Sequence, residues 1–101
     1  MVFLYITCKN EEEAKKISHE LIMQKAAACV NAHPIRSVYP EGGAVKDVSE
    51  IALIAKTSES KIQHVEDIVR ALHSYKTPCV ATFSLSRLNR EYKDWLISCV
   101  A

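Results

Sequence analysis

The residues of this 101-residue chain best suited to hold a soft or borderline metal ion are its four cysteines and four histidines. Cys8, Cys29, Cys79 and Cys99 stand far apart with no C-x-x-C pair. That spacing argues against a disulfide scaffold or a structural zinc site and for reduced thiols in the cytosol. Cys29 and His33 are close in sequence, but in extended backbone at ~3.3 Å per residue they lie about 13 Å apart, too far for one ion. His19 and His64 fall on polar faces of helical patterns and are expected to be solvated. Cys8, His73 and Cys79 remain, and a thiolate-imidazole set of this kind suits copper or zinc. The same residues also have a structural use. Thiols pack as small buried hydrophobes, and a histidine at a helix C-terminus meets the negative end of the helix dipole. No Ser, Cys and His fall into a recognisable nucleophile-base motif, so the expectation is a protein that is not an enzyme.

The elements that must position these residues follow from periodicity. Val2 to Thr7 is apolar on both alternating sets and reads as a central strand ending at Cys8. Asn10 can cap a helix whose first turn carries Glu11, Glu12 and Glu13 and whose apolar side is Ala14, Ile17, Leu21 and Ala28, running to about Lys25. From Ala28 the pattern passes directly into extended chain, Cys29 to Tyr39, with no glycine between. Pro34 in that stretch favours an edge strand or a bulge. Gly42-Gly43 should turn the chain into a third strand, Val48 to Lys56. Ser58 is placed to cap a second helix with the stripe Ile62, Val65, Ile68, Val69 and Leu72, ending near Ser74. Pro78 opens a fourth strand, Cys79 to Leu85. Asn89 is placed to cap a last helix whose apolar side is Tyr92, Trp95, Leu96 and Cys99.

The order β-α-β-β-α-β plus a C-terminal helix predicts an α+β, ferredoxin-like sandwich occupying residues 1–101 as one domain. Right-handed crossovers place both main helices on one face of a four-stranded antiparallel sheet in order 4-1-3-2. Strands one and four are then neighbours, and Cys8 lies at the same end as the start of strand four. His73 precedes that start by only six residues, which is the topological reason for grouping Cys8, His73 and Cys79. Phe3 and Tyr5 project from the opposite face, where the short last helix covers only part of the sheet. Further copies of the chain are expected to cover the rest.

Composition narrows the partners. A formal charge of +1 and a pI near 7.7 leave no broad basic footprint for nucleic acid or anionic lipid. The apolar runs are too short for a membrane span. An RNA-recognition module of this topology needs stacking aromatics, which Ile51-Ala52-Leu53-Ile54-Ala55 lacks. A two-thiol metallochaperone loop is absent because Thr7-Cys8-Lys9-Asn10 carries one cysteine, and an acylphosphatase-type anion cradle lacks its glycine and arginine. Small ligands, metal ions and copies of the chain itself remain.

Several spaced motifs resemble the CutA divalent-cation tolerance family. They are a first strand closing on Thr7-Cys8, the segment Lys25-x-x-Ala28-Cys29-Val30-Asn31, Tyr39 at the end of strand two, Lys56-Thr57, His73-x-Tyr75-x-x-Pro78, and Tyr92-x-x-Trp95-Leu96. The resemblance implies a homotrimer of ferredoxin-like subunits, a role in tolerance of divalent ions such as copper, no obligatory cofactor and no firmly implied enzymatic activity. A shared architecture with PII signalling trimers gives the alternative of a regulator that binds a small effector. Two departures stand out. The hairpin reads Pro40-Glu41-Gly42-Gly43 where relatives usually carry Trp and Gly-Lys, and Cys79 stands where relatives usually have Glu.

Overall fold

Strand β1 (Val2–Cys8) alternates between two environments, with Val2, Leu4, Ile6 and Cys8 buried and Phe3, Tyr5 and Thr7 half-buried. The computed structural model describes residues 1–101, and after β1 come α1 (Glu11–Met23), β2 (Cys29–Glu41), β3 (Ala44–Thr57), a 3-10 turn (Glu59–Lys61), α2 (Ile62–Leu72), β4 (Val80–Ser84) and α3 (Arg90–Val100). The antiparallel sheet runs β2-β3-β1-β4, the expected order read from its other edge. Leu4 stands opposite Ala55 and Thr82, and Ile6 opposite Leu53 and Val80. Paired residues share a face, so one face of the sheet presents Leu4, Ile6, Leu53 and Ala55 to Ile17 and Leu21 of α1 and Val65 and Val69 of α2, all fully buried in one apolar cluster. The α2 stripe is as its spacing predicts, with Ile62 and Leu72 at the margin of the cluster.

Local chemistry sets the ends of these elements. Asn10 accepts the Glu13 N–H at 2.9 Å through its side chain, which caps α1 as anticipated. The helix stops at Met23, two residues before the expected Lys25. Ala26 N–H returns to the Leu21 carbonyl at 2.9 Å and Lys25 N–H to that of Ile22 at 3.0 Å, with Lys25 at φ 56°. This is a Schellman closure built on a lysine where glycine is usual, which explains how the helix enters β2 without one. A left-handed L-residue costs roughly 1–2 kcal/mol, partly offset because a glycine has more entropy to lose on folding. Lys25→Gly is therefore expected to raise stability by about 0.5–1 kcal/mol, read as an increase in the urea midpoint; a lower midpoint would show that the lysine stem contributes more than the backbone strain costs.

The β2–β3 hairpin is longer than its apolar pattern suggests, reaching Glu41 and Ala44 on either side of Gly42 and Gly43 at φ 58° and 79°. Two adjacent positive φ values match a two-residue primed turn, which keeps the twist of the flanking strands, so the ladder continues past the apolar core. Arg36 bridges Asp47 through two contacts of 2.6 and 2.8 Å across it. The projecting hairpin gives the molecule extents of 47 × 25 × 20 Å. Pro34 and Pro40 fit because β2 is an edge strand.

The opposite face is covered in part by α3, as expected, though by a different stripe. Leu96 and Val100, four apart, are buried, whereas Trp95 remains 46% exposed and leans on Tyr92 at 5.3 Å between ring centroids. Trp95 directly precedes Leu96 in the helix, and the 100° step turns it off the buried line. The Lys56 amine sits 5.5 Å from the Phe3 ring and 5.4 Å from that of Tyr92, filling the gap between strand and helix. Ser58 differs from expectation too: its hydroxyl meets Ser60 instead of capping a helix, because a 3-10 turn precedes α2.

Candidate functional site

Three chain segments meet where β1 ends. Cys8 lies on the helix-bearing face, since it follows Ile6 by two residues and pairs with Ile51. Glu13 sits in the first turn of α1, and His73 terminates α2 in extended conformation. Their candidate ligand atoms, the Cys8 Sγ, a Glu13 carboxylate oxygen and a His73 ring nitrogen, all lie within 4.8 Å of one another. Cys8 and His73 are thus brought together as the topology suggested. Cys79 does not join them. Val80, the first residue of β4, pairs with Ile6 and so shares the face of Cys8, whereas Cys79 falls just before the strand, which was expected to start at it, and is exposed.

Glu13 takes the third position, and its surroundings hold it there. One carboxylate oxygen accepts the Lys9 N–H at 2.8 Å and the other the Ser74 N–H at 2.7 Å. Burial raises the pKa of this carboxyl, but the two N–H donors outweigh it and hold the group below its ordinary 4.5. The Cys8 thiol goes the other way. Burial, then the charges of Glu13 and Glu50, push it up to about 12, so the thiol keeps its proton at neutral pH.

His73 is fully enclosed, and both ring nitrogens are engaged. Nε2 lies 2.7 Å from the Thr7 carbonyl, which can only accept, and Nδ1 lies 3.0 Å from the Tyr75 N–H, which can only donate. The partners therefore fix the proton on Nε2 and leave Nδ1 as acceptor. With one ring proton, the 3.8 Å approach of Nε2 to Glu13 is a polar contact rather than an ion pair. Tyr75 then extends past the end of β1, and its phenol donates to the Glu50 carboxylate. Burial and the neighbouring Glu50 push the phenol's pKa up, so it remains a donor.

A thiol, a carboxylate and an imidazole form a donor set for a borderline divalent ion. Ligand atoms around a tetrahedral ion at about 2.0–2.3 Å stand about 3.5 Å apart, so the trio would have to contract modestly. A shallow cavity of about 260 Å³, lined by Lys9, Asn10, Glu13 and Ser74 among others, opens onto Glu13 from solvent. The largest depression, about 580 Å³ beside Leu85 to Arg90, shares no residue with the trio. Spacing in the sequence marked Cys8 and His73 but missed Glu13. The available signal was Glu three residues after the Asn10 cap, a position whose side chain characteristically turns back over the helix start.

The model of the CutA1 divalent ion tolerance protein family matches residues 2–99. The chain belongs to the CutA1 family. It is 42% identical over 94 residues to the divalent-cation tolerance protein CutA of Archaeoglobus fulgidus, covering 93% of this chain and 92% of that one. It is 38% identical over 96 residues to the CutA protein of Thermotoga maritima, covering 95% of each. The solved structure of the periplasmic divalent cation tolerance protein CutA from Archaeoglobus fulgidus superposes with a TM-score of 0.97 over the whole of both chains, at 40% identity.

Membership in a divalent-cation tolerance family connects this chain to metal tolerance in general and establishes the ferredoxin-like α+β fold. Several of the CutA1-type motif residues now have physical roles. The Thr57 hydroxyl donates to the Ala26 carbonyl at 2.7 Å, closing the α1–β2 connection onto the end of β3. His73 and Tyr75 tie α2 to β1 and β3, and Lys56 bridges Phe3 and Tyr92. No helix is long and apolar enough to cross a membrane.

Proposed function

We propose that the chain acts in divalent-cation tolerance as a non-enzymatic, cytosolic homotrimer that binds copper or another divalent ion weakly through Cys8, Glu13 and His73. The observation that carries the ion-binding reading is the convergence of these three donors within 4.8 Å, the only such group in the molecule. Weakness follows from what an ion must displace. The thiol must give up a proton it holds up to about 12, and the imidazole must surrender a hydrogen bond already made. At pH 7 the first of these alone costs on the order of 7 kcal/mol, which the metal-thiolate bond has to offset. Four free thiols support a reducing compartment.

Because binding releases the Cys8 proton, apparent affinity is expected to rise roughly tenfold per pH unit through neutral pH and to fall as the solution is acidified. Copper or zinc titration of the reduced protein by calorimetry checks this. Cys8→Ala and His73→Ala should each weaken binding roughly tenfold or more, while Cys79→Ala should leave it unchanged. Undiminished affinity in the first two variants removes the site, and loss in the third would restore Cys79 as the ligand that topology first suggested.

The homotrimer is supported by what one subunit leaves uncovered. Phe83, Trp95 and Ile97 remain 56%, 46% and 42% exposed around the sheet face beneath α3. The outer edges of β2 and β4 have no partner strand. Unpaired edges beside apolar surface invite pairing with another copy. Light scattering at micromolar concentration should give three times the subunit mass; a monomer would contradict the assembly. The alternative of an effector-binding regulator finds no support in the family or structural comparisons.

A further inference from the structure

The tautomer of His73 gives ion binding a consequence beyond the site. We propose that ligation of an ion by this trio switches the segment from His73 to Tyr75 and loosens the hold of Tyr75 on Glu50; the proposal rests on the ion-binding reading above. Nε2 is the ring nitrogen that faces the trio, 3.8 Å from the Glu13 carboxylate. It now carries the ring proton, donated to the Thr7 carbonyl. An ion needs a lone pair on Nε2, so the proton must leave that atom. A metal-bound imidazole that keeps its one proton carries it on Nδ1, and Nδ1 is the acceptor of the Tyr75 N–H, 3.0 Å away. After ligation two N–H groups would face each other there. The contact turns from attraction to repulsion, and the Tyr75 backbone must move off.

The proton count closes. One proton passes from the Cys8 thiol to solvent as its sulfur binds the ion, and the imidazole proton changes atoms without changing number. No electron is transferred.

Displacement of Tyr75 carries its phenol away from Glu50. Glu50 is only 6% exposed and alternates to the opposite face from Cys8, since Ile51 is the residue paired with Cys8. Tyr75 is thus the one side chain that reaches from the ion site on the helix face around the end of β1 to a buried carboxylate on the α3 face. A carboxylate enclosed with its phenol donor withdrawn is costly, so ion occupancy is linked to the surroundings of Glu50 on the far face of the sheet. The phenol-Glu50 bond holds the ion-free arrangement, and removing it lowers the cost of switching.

The test uses the full-length protein, uniformly ¹⁵N-labelled and reduced, with zinc as the ion. Without zinc, imidazole ¹⁵N shifts should show the His73 proton on Nε2; finding it on Nδ1 overturns the proposal at once. With zinc, the proton should appear on Nδ1 and the Tyr75 amide should move more than those of exposed controls such as Val45. Tyr75→Phe, which keeps the ring and removes only the bond to Glu50, should tighten zinc binding by about tenfold. Zinc uptake with the Tyr75 amide unmoved, or unchanged affinity in Tyr75→Phe, overturns the switch and leaves the ion site standing. Absence of zinc uptake by the wild-type protein overturns the ion site and the switch together.

Discussion

Leu53→Ala is expected to destabilise the fold by about 2–5 kcal/mol, the range for truncating a fully buried leucine where surrounding atoms cannot close the void. Leu53 is 0% exposed, pairs with Ile6 on one side and Ala32 on the other, and sits in the apolar cluster between the sheet and the two long helices. Relaxation is restricted there because the residue is held in β3, the strand between β2 and β1. The measurement is urea unfolding at fixed subunit concentration, since an assembly makes apparent stability depend on concentration. A lower midpoint with unchanged slope is the expected outcome. Val45→Ala, at a position 76% exposed near the hairpin tip, should change stability by no more than about 0.5 kcal/mol. Equal effects at the two positions would mean that the core is not where the structure places it.

Glu13→Ala is expected to cost about 1–3 kcal/mol, because it leaves the Lys9 and Ser74 N–H groups without their charged acceptor and removes the tie between the start of α1 and the end of α2. The range is kept modest because Lys9 and Ser74 are exposed and water can take up part of the loss. Glu13→Gln should cost less at neutral pH, since one oxygen remains. The pH dependence follows from the lowered pKa of Glu13 in the fold. Its contribution is complete above the ordinary value of 4.5 and disappears as pH falls through the lower folded value. The stability gap between wild type and Glu13→Gln should accordingly be widest near neutral pH and close in acid. A gap that persists undiminished in strong acid would show that the carboxylate charge is not the source of the effect.

A metal-binding role and a structural role are not exclusive at this site. Cys8 packs as a small hydrophobe, and His73 ties the end of α2 to β1 and to the loop residue Tyr75 through partners on both nitrogens. An ion that enters has to compete with those contacts, which is the physical ground for expecting weak, proton-coupled binding.

Alternation and helical spacing were sufficient to order the seven main elements, to place Leu4, Ile6, Ile17, Leu21, Leu53, Val65 and Val69 inside, and to predict the sheet order, because burial period and handed crossovers are local or topological rules. They also brought Cys8 and His73 to one end of the sheet. Other features depended on contacts between segments far apart in the chain. Cys79, expected to open β4, stays outside the strand and exposed, and an N-terminal capping residue, Glu13, takes the third place because the end of α2 comes to rest beside it. Lys25 closes α1 in a left-handed conformation that no propensity favours. The His73 tautomer depends on the Thr7 carbonyl, 66 residues away in sequence. Periodicity tells which face a side chain takes; only the folded chain decides which donors and acceptors meet there, since a hydrogen bond depends on distances of a few tenths of an ångström that spacing cannot encode.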